Sequence, residues 1–190
     1  MAINSRRKGA RGERVAAKLL TAWTKRPFSK TPASGGLHWK NQNVAGDIVC
    51  TKEGHFFPFC MEIKNHKKID FSHLLVPNIK SNRIDIFNFI DQASTDAERV
   101  NKIPLVMMRY NSLPREFYFM LMRYEDYQYL YSNMGLGKLL LRNSLVYWNK
   151  DMGRKLVILK SDEFFKLPYK EVKTLTKKLI KDGKRKKKGN

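Results

Sequence analysis

Gly46-Asp47-Ile48-Val49, followed after a polar interval by Met61-Glu62-Ile63-Lys64, is the stretch on which the reading of this chain turns. Side chains alternate faces along a strand with period two. Glu62 and Lys64 therefore share one face of the second segment, and Met61 and Ile63 share the other. Thr51-Lys52-Glu53-Gly54-His55 between them reads as a glycine-containing turn. If the two segments pair as a hairpin, Asp47 folds back beside Glu62. Two carboxylates converging beside an ammonium repel each other and lose hydration unless a cation sits between them. Hard divalent ions such as Mg²⁺ take one or two carboxylates together with water and phosphate oxygens. The pattern points to a metal site for phosphodiester cleavage.

Outward from this pair, helix and strand signals alternate. Asn4 to about Thr24 carries Val15, Ala16, Leu19, Leu20 and Trp23 at helical spacing, with Asn4 or Ser5 as cap. Glu13 lies near that apolar stripe, between Arg11 and Arg14. Pro27 and Pro32 punctuate the exit, and Ala33-Ser34-Gly35-Gly36 reads as a turn or close-approach loop. Ala45–Thr51 and Phe56–Lys64 read as strands, Pro58 implying a bulge or edge position in the second. Asn65–Lys80 is polar and irregular, with a short helix about Ser72–Val76. Arg83–Lys102 follows the 3.6 period through Ile84, Phe87, Ile90, Ala93, Ala97 and Val100, and Pro104 forbids its continuation.

Leu105–Arg109 and Phe117–Met122 are further strands. Asp126–Tyr131 reads as a helical turn. Leu139–Leu141, Leu145–Trp148 and Lys155–Leu159 read as short strands, the last two around Gly153. Ser161 can cap a short helix, Tyr169–Lys181 is helical and basic, and Gly183–Asn190 is expected to be disordered. The sum is an α/β domain with a mixed β-sheet between helices. The division is a core over 1–125, a C-terminal extension of the same domain over 126–176, and a basic tail over 177–190.

The 190 residues are 42% hydrophobic, enough for a packed core, yet the net charge is +21. Residues Lys177 to Asn190 hold eight Lys/Arg and one Asp, so two thirds of the net charge lies on the body. Such an excess calls for a polyanionic partner, and nucleic acid leads. Arg6, Arg7, Lys8, Arg11 and Arg14 would grip phosphates near the N-terminus of the first helix. No apolar run approaches a membrane span and no secretory leader is visible, so a cytoplasmic, reduced protein with free Cys50 and Cys60 is expected. Cys50, His55, Cys60 and His66 match no compact zinc knuckle, and Gly135-Leu136-Gly137-Lys138 fails the phosphate-loop pattern. Tyr124, Tyr127, Tyr129 and Tyr131 are read as core or subunit interface before base-stacking groups.

The ordered set Lys8-Gly9-Ala10-Arg11-Gly12-Glu13-Arg14, Ser34-Gly35, Gly46-Asp47 and Glu62-Ile63-Lys64 resembles the PD-(D/E)xK nuclease superfamily. Within it, the pattern is similar to archaeal-type and phage Holliday junction resolvases. The resemblance covers roughly residues 5–110 and departs in having Gly46 where the motif has proline. It implies a restriction-endonuclease-like core and a Mg²⁺-dependent endonuclease, with Mn²⁺ as a substitute, cutting DNA four-way junctions symmetrically as a homodimer. An enzyme encoded by a phage would act in the host cytoplasm, near the nucleoid. By the same resemblance Asp47, Glu62 and Glu13 hold the metal, and Lys64 orients water or neutralises developing charge. Ser34 touches the scissile phosphate, and Gln92 bonds active-site water or Lys64. The dimer interface would draw on Phe87, Phe89 or the late tyrosines. The alternatives are a restriction or repair nuclease of the same superfamily, or a non-catalytic basic nucleic-acid-binding protein.

Overall fold

The structure, a computed structural model, describes residues 3–31, 44–69, 86–135, 144–149 and 153–188. Seven strands form one sheet in the order β1-β2-β3-β4-β5-β7-β6. They are β1 Phe28–Lys30, β2 Ile48–Cys50, β3 Phe59–His66, β4 Ile103–Tyr110, β5 Phe119–Arg123, β6 Ser144–Asn149 and β7 Arg154–Lys160. Only β3 and β4 run parallel; every other neighbouring pair is antiparallel. A parallel pair needs a crossover, and the helix α2, Ile86–Val100, lies in it.

The sheet is covered on both faces, which is why its central strands are apolar at nearly every position. One face packs under α1 (Ile3–Thr24), α3 (Tyr124–Asn133), α4 (Ser161–Phe165) and α5 (Tyr169–Lys188). Met61, Ile63, Leu105, Met107, Met120, Val157 and Leu159 supply its floor. The other face packs under α2, whose Ile86, Phe87, Ile90 and Ala93 meet Val106, Met108, Leu121, Leu156 and Ile158. Asn101, at φ 53, turns the chain out of α2 and into β4.

Trp23 is among the aromatics that join the first and last thirds of the chain. Trp23 lies 5.2, 5.5 and 4.9 Å, ring to ring, from Phe164, Phe165 and Tyr169. Its Nε1–H donates to Leu167 O at 2.8 Å. Strands β6 and β7 and helices α4 and α5 thus belong to the same sheet and core.

Several local expectations are corrected. Pro58 marks neither a bulge nor an edge. It precedes β3, an interior strand, and its carbonyl accepts from Ile103 N at 2.9 Å. Ser161 does not cap α4: its Oγ accepts from Tyr118 N at 3.0 Å, a strand partner outcompeting the local turn. Helix α5 continues to Lys188 where disorder was expected. Leu175, Leu179 and Ile180 anchor it on the core, and lysines propagate it beyond. Tyr127, Tyr131 and Phe87 are buried within the protein's own cores, which removes them as interface candidates. Among the described residues, the exposed large apolar side chains are Leu145 and Trp148 on the edge strand β6. Strand 139–141 and helix 72–76 lie outside the described residues.

Candidate active site

Strand β3 presents Cys60, Glu62 and Lys64 to the α2 face, in register with Pro104, Val106 and Met108 of β4. Glu62 is 4% exposed. Its Oε1 lies 2.5 Å from Lys64 Nζ. The same ammonium donates to Gln92 Oε1 at 2.8 Å and stands 5.2 Å from the centre of the Phe89 ring. Phe89 and Gln92 are three apart on α2, so one helical face holds the lysine from two sides. The structure therefore gives Gln92 the Lys64 partner foreseen for it.

Asp47 reaches this cluster because Gly46 precedes it. Gly46 has φ +86, and a Cβ there would stand 2.6 Å from Met61 O. Proline is excluded at that dihedral, and any side chain is excluded by the neighbouring strand. The departure from the motif is thus a requirement of this backbone. Beyond the turn, Asp47 N donates to Met61 O at 2.7 Å, and Ile63 N donates to Asp47 Oδ2 at 2.7 Å. Asp47 so grips β3 on both sides of Glu62. Thr31 fixes the turn from β1: its N donates to Asp47 O at 2.8 Å and its Oγ1 to Gly46 O at 2.7 Å. Gly46→Ala should therefore force β2 off β3, destabilising the fold by roughly 1–3 kcal/mol. Chemical denaturation measures this, and an unchanged midpoint would contradict the close approach.

Burial pushes the Asp47 carboxyl above its ordinary range; the Ile63 N–H opposes the shift and the Glu13 charge adds to it. Glu62 is pushed up to about 6, first by burial and then by the Asp47 charge, with Lys64 pulling the other way. Asp96 adds further negative field at both. It lies one turn beyond Gln92 on α2, a spacing of four that already placed it on the same helix face. Sequence reasoning passed over it.

Glu13 stands one step out. It pairs with Lys30 at 3.4 Å, where its charge still reaches Asp47. Lys30 is 41% exposed, so the pair contributes at most about 1 kcal/mol, too little to be the reason for its placement. Among the described residues no three His, Cys, Asp or Glu side chains gather closely enough to hold an ion. What fits a hard divalent cation is the pair Asp47 and Glu62: two adjacent oxygen donors, both resisting ionisation. Ser34 lies outside the described residues, as do the side chains of Arg6 and Lys8. Arg7, Arg11 and Arg14 are exposed on α1.

Residues 4–174 match the family described as "Phage putative PDDEXK endonuclease". The chain belongs to that family. It is a family of endonucleases by its description, and the α/β sheet is the restriction-endonuclease-like core. The match runs through β6, β7 and α4 into α5, so the family unit extends well beyond the residues 5–110 that the resemblance covers. Over 110 residues the chain is 28% identical to Protein D14 of Escherichia phage T5. That alignment covers 57% of this chain and 66% of the phage protein. No solved structure matches significantly. Among the described residues no helix is long and apolar enough to cross a membrane.

Proposed function

We propose that this member of the endonuclease family is a Mg²⁺-dependent, structure-selective DNA endonuclease that cuts four-way junctions as a homodimer in the cytoplasm of a phage's host. The observation that carries the catalytic reading is Lys64, held between Glu62 and Gln92 beside the Asp47 carboxylate. Nothing in a stability argument calls for a buried acid, a half-buried acid and a braced ammonium in one place.

Asp47 and Glu62 would hold the ion. When bound it supplies Lewis-acid polarisation of the scissile phosphate and a more acidic water. Lys64, its position fixed by Gln92 and Phe89, orients the attacking water and neutralises charge developing on the phosphate oxygens. Glu13 and Asp96 add negative field that favours the cation, and the resemblance gives Ser34 the role of touching the scissile phosphate. Mn²⁺ presents the same preference for oxygen donors and substitutes.

Junction selectivity rests on the resemblance to resolvases and on charge spread over the body, which suits recognition of backbone shape. The alternative is a restriction or repair nuclease of the same superfamily, and a sequence-specific one would need side chains reading base edges. Incubation with Mg²⁺ and a panel of duplex, flap, nicked and four-way DNAs decides between them. Symmetric paired cuts confined to the four-way substrate are expected. Equal cutting of plain duplex would overturn the junction reading, and no cutting of any substrate would overturn the enzyme.

The ion should also be visible in stability. A carboxyl whose pKa rises on folding binds its proton more tightly in the native state. For Glu62 the resulting penalty is absent below its ordinary 4.5 and complete above about 6. It amounts to about 2 kcal/mol at neutral pH. Mg²⁺ should therefore raise the melting temperature at pH 8 and leave it nearly unchanged at pH 4.5. Equal shifts at both pH values would place the ion elsewhere.

A further inference from the structure

We propose a second, non-catalytic phosphate-binding trough on the outer side of α1, built by Arg11, Arg14, Lys18 and Arg115, that takes the sugar-phosphate backbone of DNA. The proposal rests on the nuclease reading for its ligand and adds to it a place where the duplex is held. The four cations and Val15 line one concavity of about 360 Å³. Arg11, Arg14 and Lys18 recur at three and four along α1, so they form one stripe. Arg115 comes from the β4–β5 turn, a hundred residues away in sequence.

Four like charges converge at an electrostatic cost. Elsewhere on the protein Arg99, Arg123, Arg154 and Lys166 each stand against an acid. Among the described residues none of the four trough cations does. Their neutralising partner therefore comes from outside the described protein surface. Four cations at the spacing of a helix stripe match a polyanion with repeated charges better than one small anion.

The turn that carries Arg115 is braced. Arg109 Nη2 donates to Leu113 O at 2.8 Å and to Pro114 O at 3.1 Å. Its guanidinium lies 5.7 Å from the centre of the Tyr118 ring, and the Tyr118 hydroxyl donates to Gly12 O at 2.9 Å. The turn is thereby tied to α1 at the residue next to Arg11. Arg109 is a positioning residue for Arg115.

The turn that carries Arg115 leaves the parallel strands four residues beyond the level of Glu62. His66 and Tyr110 are paired at the ends of the parallel strands β3 and β4, and the β4–β5 turn leaves from there. Helix α1 crosses that end closely: a Cβ on Gly12 would stand 3.1 Å from Asn65 Nδ2. Glu13 leaves α1 toward Lys30 and Asp47, while Arg11, Arg14 and Lys18 leave it on another side. One helix so carries Glu13 on one side and the trough cations on another.

The test is fluorescence anisotropy of a labelled plain duplex in EDTA, where nothing is cut, with the double variant Lys18→Ala/Arg115→Ala across a salt series. Affinity should fall roughly 10-fold or more at 100 mM salt, and the slope of log K against log salt should shrink by about 2. The loss should be the same for duplexes of unrelated sequence, because phosphates carry no sequence information. A control of equal charge, Lys52→Ala/Lys170→Ala, alters exposed lysines remote from the trough. Unchanged affinity and slope in the first variant, or equal loss in the control, would overturn the trough. Absence of cleavage by the wild-type enzyme under any divalent metal would overturn the nuclease reading alone, since this assay reads binding without chemistry.

Discussion

Asp47→Asn or Glu62→Gln should reduce the single-turnover rate of Mg²⁺-dependent cleavage by at least about 10³-fold, or roughly 4 kcal/mol of transition-state stabilisation. Each change removes one of the two adjacent carboxylates, buried Glu62 and half-buried Asp47, that meet at β3. Binding should persist, because affinity for DNA rests on lysines and arginines elsewhere. The two variants differ in what else they disturb. Asp47 also accepts from Ile63 N, and Asn keeps an acceptor oxygen for that bond. Glu62→Gln relieves the penalty on an acid pushed up to about 6, so it should melt at a higher temperature than wild type without metal. An inactive protein with raised stability separates loss of chemistry from loss of fold. Full cleavage by both variants would remove the site assignment.

Lys64→Ala should lower the rate about 10²- to 10³-fold at saturating enzyme and leave affinity within a few-fold of wild type. The ammonium is already held by Glu62 and Gln92 in the free protein, so it is prepared for a charge that appears only during reaction. Single-turnover cleavage beside a gel-shift titration on the same junction distinguishes the alternatives. A variant that binds worse yet cuts at the wild-type rate once saturated would make Lys64 a phosphate anchor. Ca²⁺ should mimic Lys64→Ala in outcome, permitting binding without cutting, since it holds ligands at longer distances than Mg²⁺.

The parts of the site legible in sequence are those fixed by short-range periodicity. Glu62 and Lys64 had to share a face once β3 was a strand, and α2 had to follow the 3.6 period. Gln92 could then be placed on the crossover helix. The parts that were not legible are set by non-local contacts. Strand β1 is three residues long and exists through its pairing with β2, Phe28 opposite Cys50. Thr31 became part of the site only through that pairing. Ser161 had a plausible local role and took a partner 43 residues away instead. Arg115 joins Arg11 only because Arg109 and Tyr118 draw a turn onto α1. Gly46 looked like a departure from a motif; its φ and its contact with Met61 show a different backbone answer to the same need, an acid turned in beside β3.

The hydrogen bond from Trp23 to Leu167 joins residues 144 positions apart, and α1 is the helix that carries Glu13. During synthesis the first helix leaves the ribosome long before its aromatic partners exist. Until Phe164, Phe165 and Tyr169 follow, Trp23 has none of the rings it stacks on, and α1 has lost the lock at its C-terminal end. The face of β3 that carries Met61 and Ile63 therefore gains its finished helix layer only when nearly the whole chain has been made.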